Sequence, residues 1–314
     1  MQTSESVSPT WERDVIEKTL MAAYIEQRRR RRWGIFFKSL VIGIIILSLF
    51  SLWPESKQAV VHQSHTALIE IKGGIFEGEE ANADSIASAL RQAFEEGQAK
   101  AVLLRINSPG GSPVQAAYIF DEIMRLKALH PDKKVYAVIT DIGASAAYYI
   151  AAAADEIYAN GSSLVGSIGV IMPVFGFVDV MQKVGVEQRT VFSGDNKLFL
   201  DPFSPVNEKQ NALAHEMLRN VHDQFIQAVK KGRGDRLQND PQIFSGLAWT
   251  GEQALKLGLI DGLGSAGFVA REVIQEENIL DYTVPQNLME RVLSRFASSF
   301  AHQLRSQSMM QEMR

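Results

Sequence analysis

Apolar and polar positions alternate along this chain in a way that predicts strands joined by helices. Short apolar runs are separated by longer segments whose apolar residues recur at the helical period. The predicted strands cover residues 67–71, 101–106, 135–140, 156–159, 170–173 and 188–192. The predicted helices cover residues 84–96, 114–129, 144–154, 207–231, 251–257 and 265–277. This order is typical of βα units around a buried, mostly parallel sheet, so the predicted fold class is α/β.

A stretch at residues 33–53 departs from this pattern, because its only charged residue is Lys38 near its start. As a helix it would extend about 31 Å, which matches the hydrocarbon core of a bilayer. Trp33 and Trp53 lie at its ends, where indole rings prefer the membrane interface. The arginines Arg28–Arg32 precede it, so the positive-inside rule keeps the N-terminus in the cytoplasm. We therefore predict a single-pass anchor rather than a core helix or a cleaved signal peptide.

The anchor divides the chain into segments with separate predicted roles. Residues 1–32 form a cytoplasmic tail, residues 54–65 a short polar linker, and residues 66–280 the folded domain outside the membrane. Residues 281–314 contain an amphipathic helix and a tail. The apolar stripe of this helix comprises Leu288, Val292, Phe296 and Phe300 at i, i+4 steps. We expect the helix to pack on its own domain or on a neighbouring subunit rather than on the membrane surface.

Composition removes several classes of function. The chain has 314 residues, is 46% hydrophobic and carries a net charge of -4, which suits a sizeable core and excludes wholesale disorder. Its run of arginines precedes the anchor and no basic stripe extends over the folded domain, so a nucleic-acid partner is not expected. The absence of cysteine excludes a disulfide scaffold, a thiolate metal site and a cysteine nucleophile. We expect neither a metal nor a cofactor.

Two turns at predicted strand ends carry candidate catalytic groups. Pro109, Gly110 and Gly111 follow the second strand, and the glycines permit positive φ values, so backbone N–H groups there can bind an anion or an oxyanion. Ser145 follows the third strand, among small residues at the start of a predicted helix. A helix N-terminus favours negative charge nearby, which suits a nucleophilic serine. The other role open to Ser145 is that of an N-cap residue.

A nucleophilic serine needs a general base, for which histidine and lysine are both candidates. The histidines are His62, His65, His130, His215, His222 and His302. None of them lies in a loop framed by glycine or proline, so we expect surface or packing roles. Lys197 lies in a loop beside Leu198 and Phe199. Apolar surroundings favour the neutral form of lysine, which accepts a proton, whereas the alternative for Lys197 is an exposed loop residue.

Four motifs stand in a fixed order along the chain. They are Asn107-Ser108-Pro109-Gly110-Gly111, Gly143-Ala144-Ser145-Ala146-Ala147-Tyr148, Leu164-Val165-Gly166-Ser167-Ile168-Gly169-Val170 and Ser193-Gly194-Asp195-Asn196-Lys197. This order resembles the signal peptide peptidase A family of membrane-anchored serine-lysine proteases, which share the crotonase/Clp protease fold. The resemblance extends over residues 66–277.

The resemblance implies a role for each matching residue. Ser145 would be the nucleophile, and Lys197 would be the general base that deprotonates the Ser145 hydroxyl. Ser167 would hydrogen-bond the lysine and orient it. The backbone N–H groups of Gly111 and Ala146 would form the oxyanion hole.

The resemblance also implies partners and a location. The chain carries a single set of motifs, as the short form of the family does. Such relatives assemble as homo-oligomeric rings of about four to eight subunits, with peptide grooves between neighbours. They hold the protease domain outside the cytoplasmic membrane and degrade signal peptides or other membrane-derived peptides. The expected partners here are therefore peptide substrates, membrane lipid and further copies of the chain.

Two other functions remain open at this stage. An α/β-hydrolase esterase is one, because the residues around Ser145 approximate a nucleophile elbow, but it requires a histidine in a loop further along the chain. A catalytically silent, membrane-tethered scaffold with the crotonase fold is the other. The joint presence of Ser145, Ser167 and Lys197 argues against the scaffold.

Overall fold

The computed structural model describes residues 10–51 and 63–284, which belong to two compact units divided at residues 61 and 62. The described part of the first unit is one helix, α1 (Thr10–Ser51). This helix contains the predicted anchor up to Ser51 and also residues 10–32, for which the sequence predicts only a tail. Among the described residues, no helix has a stretch long and apolar enough to cross a membrane. The end of the predicted anchor, most of the predicted linker and the predicted C-terminal helix lie outside the described residues.

The second unit is built on one sheet, which has eight strands in the part of the chain that is described. The strands are β1 (His65–Ile75), β2 (Ala99–Gly111), β3 (Lys134–Ala144), β4 (Glu156–Ala159), β5 (Leu164–Gly166), β6 (Ala248–Thr250), β7 (Gly262–Leu263) and β8 (Ile279–Asp281). The helices are α2 (Ala83–Glu95), α3 (Pro113–Leu129), α4 (Ala146–Ala151), α5 (Val178–Val184), α6 (Glu208–Arg233), α7 (Gly251–Lys256) and α8 (Ala266–Phe268). The strand order is β6-β5-β3-β2-β1-β8, with β4 beside β3 and β7 beside β4. Every pair is parallel except β5 with β6, so the α/β class with a mostly parallel sheet is confirmed.

Both faces of the sheet are covered, which explains why its central strands are continuously apolar. Leu103 and Leu104 are neighbours in β2, point to opposite faces and are both fully buried. Leu104 belongs to the main core, which includes residues of α2, α3, α4 and α6. Leu103 belongs to a smaller cluster with Leu68, Val138 and Val269 on the other face. A strand buried on both faces has no polar side, so its sequence does not alternate.

The strand β3 changes its partner along its length. Its first half, Tyr136–Ile139, pairs with β4, whereas Ile142–Ala144 pair with β5. On its other side β3 pairs with β2, where Ser108 lies opposite Gly143. The ends of β2, β3 and β5 therefore meet at one edge of the sheet.

The predicted strands at residues 170–173 and 188–192 are wrong. The segment between β5 and α6 contains α5 as its only helix and has no strand in the described chain. Most of its apolar residues stay exposed, with Ile171 at 88% and Val191 at 98% relative exposure. An isolated apolar run cannot form a strand without a partner for its backbone groups. Conversely, β5, β6, β7 and β8 have only two or three residues each, too few to show a period in the sequence.

Two predicted helices have different bounds. The helix predicted at residues 144–154 is shortened to α4, because Gly143 and Ala144 continue β3 and Ser145 has a positive φ. The helix predicted at residues 265–277 is α8 followed by a π-helical turn at Val269–Ile274, which ends where Gln275 has a φ of 59°. The predictions for α2, α3, α6 and α7 are confirmed to within a few residues.

Candidate active site

Ser145 occupies the sharp turn between β3 and α4. Its φ of 54° and ψ of -126° lie in a region that residues other than glycine rarely adopt, and such strain persists only where the surroundings enforce it. Its N–H donates to the Gly166 carbonyl of β5 at 2.8 Å. The side chain is half-buried and makes no cap hydrogen bond, so the alternative role as an N-cap by its side chain is not the one observed. The hydroxyl is therefore available to another group.

The C-terminal end of β2 approaches Ser145 with backbone alone. Gly110 has a φ of 106°, and a β-carbon there would lie 2.7 Å from the Ser145 Cβ and 2.9 Å from the Ala146 nitrogen. A β-carbon on Gly111 would overlap the carbonyl group of Ile75. Only glycine fits at both positions, and the backbone of Gly110 and Gly111, which we call the glycine wall, lies beside Ser145 without side chains.

Two polar side chains, to which the sequence alone assigned no role, hold this end of β2 in place. Ser108 is fully buried, and its Oγ accepts the N–H of Gly110 at 3.1 Å. Asn107 donates from Nδ2 to Asp141 at 2.8 Å and accepts the Ile142 N–H at 3.3 Å, which joins β2 to β3. The signal in the sequence is a pair of polar residues directly after the apolar run at residues 101–106.

Ser167 lies next to Ser145 because the ends of β3 and β5 are in register, with Ala144 opposite Gly166. Its φ is 50°, its N–H donates to the Leu247 carbonyl at 2.9 Å, and its Oγ donates to the Gly246 carbonyl at 3.3 Å. The structure thus brings together Ser145, Ser167, Gly110, Gly111 and Ala146, which we call the strand-end cluster.

Lys197 is not part of this cluster within one chain. It lies on the segment 170–206, which we call the lysine segment, and its side chain is exposed. Its backbone N–H donates to the Gly194 carbonyl at 3.0 Å, but within the described residues its ammonium has no hydrogen bond or ion pair. The described part of the chain does not supply the apolar surroundings expected for Lys197.

The histidines of the described chain lie against groups other than Ser145. His65 is buried, stacks on Tyr282 and bonds its hydroxyl at 2.8 Å. The Nε2 of His222 lies 3.0 Å from the Ile168 carbonyl, which fixes the residue after Ser167. His215 lines a cavity of about 320 Å³ between α6 and the lysine segment. No hydrogen bond joins any of these rings to Ser145 in the described chain, and no group of acidic or histidine side chains there is suited to hold a metal ion.

The sequence matches two family descriptions. Peptidase family S49 matches residues 127–279, and Clp protease matches residues 61–163. Both matches contain Ser145, and the first also contains Ser167 and Lys197.

Three relatives illustrate the similarity. A protein of Brucella melitensis named Na⁺/H⁺ antiporter NhaA is 44% identical over 202 residues, which are 64% of this chain and 27% of that protein. A protein of Enterococcus faecium with the provisional name signal peptide peptidase SppA is 30% identical over 231 residues, which are 73% of this chain and 67% of that protein. A Synechocystis protein with the provisional name of protease is 32% identical over 214 residues, which are 68% of this chain and 74% of that protein.

The extent of these matches differs between relatives. This chain spans only 27% of the length of the Brucella proteins. It spans two thirds or more of the Enterococcus and Synechocystis proteins, whose names are those of peptidases. On these matches, the chain belongs to the signal peptide peptidase A family, within peptidase family S49.

Proposed function

We propose that this protein is a membrane-anchored serine endopeptidase that uses a serine-lysine pair to cleave peptides outside the cytoplasmic membrane. The observation that carries the proposal is the turn at Ser145. Its hydroxyl makes no cap bond, its backbone is strained, and glycine backbone lies against it. A nucleophile held in this way can reach a peptide carbonyl while nearby N–H groups bind the oxygen of that carbonyl.

The proposed reaction is acyl transfer to serine. Neutral Lys197 accepts the proton of the Ser145 hydroxyl, whose oxygen attacks the peptide carbonyl, and the lysine then protonates the departing amine. The N–H groups of Gly111 and Ala146 are the proposed oxyanion donors, each contributing about 3 kcal/mol in the transition state. Ser167 is proposed to hold the lysine in position. Water then releases the peptide from Ser145.

Within the described chain, Lys197 makes no hydrogen bond to Ser145, so the proposed base must reach the nucleophile in another way. We propose that copies of the chain assemble through the lysine segment and that Lys197 of one copy reaches Ser145 of the next. Exposed apolar residues support this: Ile171, Val174, Phe175, Val180, Val184, Val186, Val191, Phe192 and Val206. Monomeric soluble proteins rarely expose large apolar patches, and these side chains all lie in one segment. Assembly would also supply the apolar surroundings that a neutral lysine needs.

The anchor and the substrates are further parts of the proposal. The apolar stretch from Trp33 to Trp53 and the arginines before it support a single span with the N-terminus in the cytoplasm. A peptidase domain tethered outside the membrane has access to signal peptides and other membrane-derived peptides. A reporter that fluoresces only in the cytoplasm tests the orientation: it should be active when fused at residue 20 and silent when fused after residue 314. The reverse pattern would refute the orientation.

Replacing the nucleophile tests the activity. Ser145→Ala in the full-length, detergent-solubilised protein should abolish hydrolysis of a fluorogenic peptide and labelling by a fluorophosphonate, with thermal unfolding unchanged. Ser162→Ala is the matched control, because Ser162 is an exposed loop serine in the same domain. Retention of more than a few per cent of activity in Ser145→Ala would contradict the proposed nucleophile. A wild-type protein that is neither active nor labelled would instead favour the silent scaffold.

A further inference from the structure

The helix that follows the nucleophile carries a buried hydroxyl that the proposed chemistry does not use. Tyr148 is fully buried, lies one helical turn after Ser145, and donates from Oη to the Leu259 carbonyl at 2.7 Å. Its neighbour Tyr149 has a different environment. The Tyr149 ring stacks on Phe225, and its hydroxyl makes no hydrogen bond within the described chain.

Hydrogen bonds to Gly258 and Asp261 fix the loop that carries the acceptor, the Leu259 carbonyl. Arg233 is 1% exposed and donates from Nε and Nη2 to the Gly258 carbonyl at 3.0 and 2.8 Å. The same guanidinium pairs with both oxygens of Asp261 at 2.6 and 2.9 Å. The Asp261 carboxylate also accepts the N–H of Ile157 in β4 at 2.7 Å. Leu259 lies between Gly258 and Asp261, so its carbonyl is a rigid point relative to the sheet.

The fixed Leu259 carbonyl matters for the position of α4, because this helix is short and follows the strained backbone of Ser145. The helix has six residues, so its own hydrogen bonds hold it weakly. The Ser145 N–H is held by Gly166 and all six residues of α4 are buried, but Tyr148 makes the only side-chain hydrogen bond of α4 in the described chain, so it is the directional contact that opposes rotation of the helix about its axis. Rotation would displace the Ser145 hydroxyl and the Ala146 N–H, which are attached to the first turn of the helix.

We propose that Tyr148 is a positioning residue, whose hydrogen bond to Leu259 fixes α4 so that the Ser145 hydroxyl and the Ala146 N–H keep their places in the reaction. The inference rests on the proposed function. Arg233 and Asp261 act one step further away, by fixing the carbonyl that Tyr148 binds.

The hydrogen bond persists over the whole range of an activity assay. Burial raises the pKa of the Tyr148 hydroxyl well above its ordinary value, so the phenol remains a donor at neutral and moderately alkaline pH. Loss of the hydroxyl should therefore lower the rate equally at every pH and leave the midpoint of the pH profile where it is.

The test compares two neighbouring tyrosine variants, Tyr148→Phe and Tyr149→Phe, in the full-length protein. Both remove one oxygen from α4, and both are assayed well below their melting temperatures. We expect Tyr148→Phe to lower kcat about tenfold with KM within about twofold, and to slow fluorophosphonate labelling of Ser145 by a similar factor. We expect Tyr149→Phe to match the wild type. Equal kcat values for the two variants would overturn the inference.

A second variant keeps the test decisive if Tyr148→Phe does not fold. Arg233→Lys loosens the loop that carries Leu259 without changing α4, and it should lower kcat by a few-fold with KM and the pH midpoint unchanged. A wild-type kcat in Arg233→Lys would then count against the inference. Failure of the proposed function is distinguishable, because in that case Ser145→Ala would be as active as the wild type.

Discussion

The strand-end cluster and the lysine segment differ in how completely a single chain supports them. The cluster is held by hydrogen bonds from three strands, and the backbone of Gly110 lies so close to Ser145 that a β-carbon there would not fit. The lysine segment has one short helix and leaves most of its apolar side chains in contact with solvent. Exposed apolar surface of this kind commonly marks a site of interaction with another molecule. The comparison agrees with our proposal that the nucleophile is prepared within each chain and that the base is delivered by assembly.

Pairing two inactive variants is the strongest test of this difference. Lys197→Ala should lose activity as fully as Ser145→Ala, by about a thousandfold or more, and the double variant should be no worse, because both residues serve one step. When the two single variants are co-expressed, random assembly should restore about a quarter of the wild-type sites if Lys197 acts on a neighbouring copy. No restoration in a mixed oligomer would show that each pair lies within one chain.

The pH profile of the wild type tests whether the general base is a lysine or a histidine. A lysine base gives a rise in kcat/KM above about pH 8, whereas a histidine base gives a rise near pH 6 to 7. A rise near pH 6.5 that survives in Lys197→Ala and disappears in His222→Ala or His215→Ala would favour the esterase.

Adding a side chain to the glycine wall should displace Ser145 in the strand-end cluster. A β-carbon in Gly110→Ala would lie 2.7 Å from the Ser145 Cβ, and the φ of 106° is unfavourable for alanine. We expect activity to fall about a hundredfold and the free energy of unfolding to fall by about 1 to 3 kcal/mol. Gly97→Ala is the control, because a β-carbon there meets nothing within 4 Å. Equal activity of the two variants would show that the wall is not close to the reacting groups.

Ser167→Ala tests the point where the two regions are proposed to meet. The Ser167 hydroxyl is half-buried next to Ser145 and bonds only weakly to the Gly246 carbonyl, at 3.3 Å. Losing it should lower kcat about 10- to 100-fold, or about 1.4 to 2.7 kcal/mol, with labelling of Ser145 slowed but not abolished. An unchanged kcat would remove Ser167 from the proposed positioning of the lysine.

The smallest expected effect lies away from both regions, in α3. Hydrogen bonds from Arg125 and Arg91, at 2.6 to 2.8 Å, lower the pKa of Glu122 from 4.5 to about 2. Because the pKa is lower in the folded state, this stabilisation is complete above pH 4.5 and is lost as the pH falls towards 2. Both arginines are about half exposed, so the contribution should not exceed about 1 kcal/mol.

Glu122→Gln should therefore lower the free energy of unfolding slightly at pH 7 and match the wild type near pH 2. Asp132→Asn, at an exposed carboxylate without an ion pair in the described chain, should change neither value. Urea unfolding at a series of pH values measures the difference, and activity at pH 7 should be equal in all three proteins.

The apolar pattern alone determined the long central strands, the helices α2, α3 and α6, and the position of Ser145 between a strand and a helix. Those features are local, because a strand buried on both faces and an amphipathic helix each leave their period in the sequence. The tertiary structure decided what depends on distant partners. It placed the short strand β5 beside β3, brought Ser167 to Ser145, and gave Asn107 and Ser108 their roles at the end of β2. It also left Lys197 exposed among the described residues, because the surroundings of a side chain depend on which surfaces meet it and not on its neighbours in the sequence.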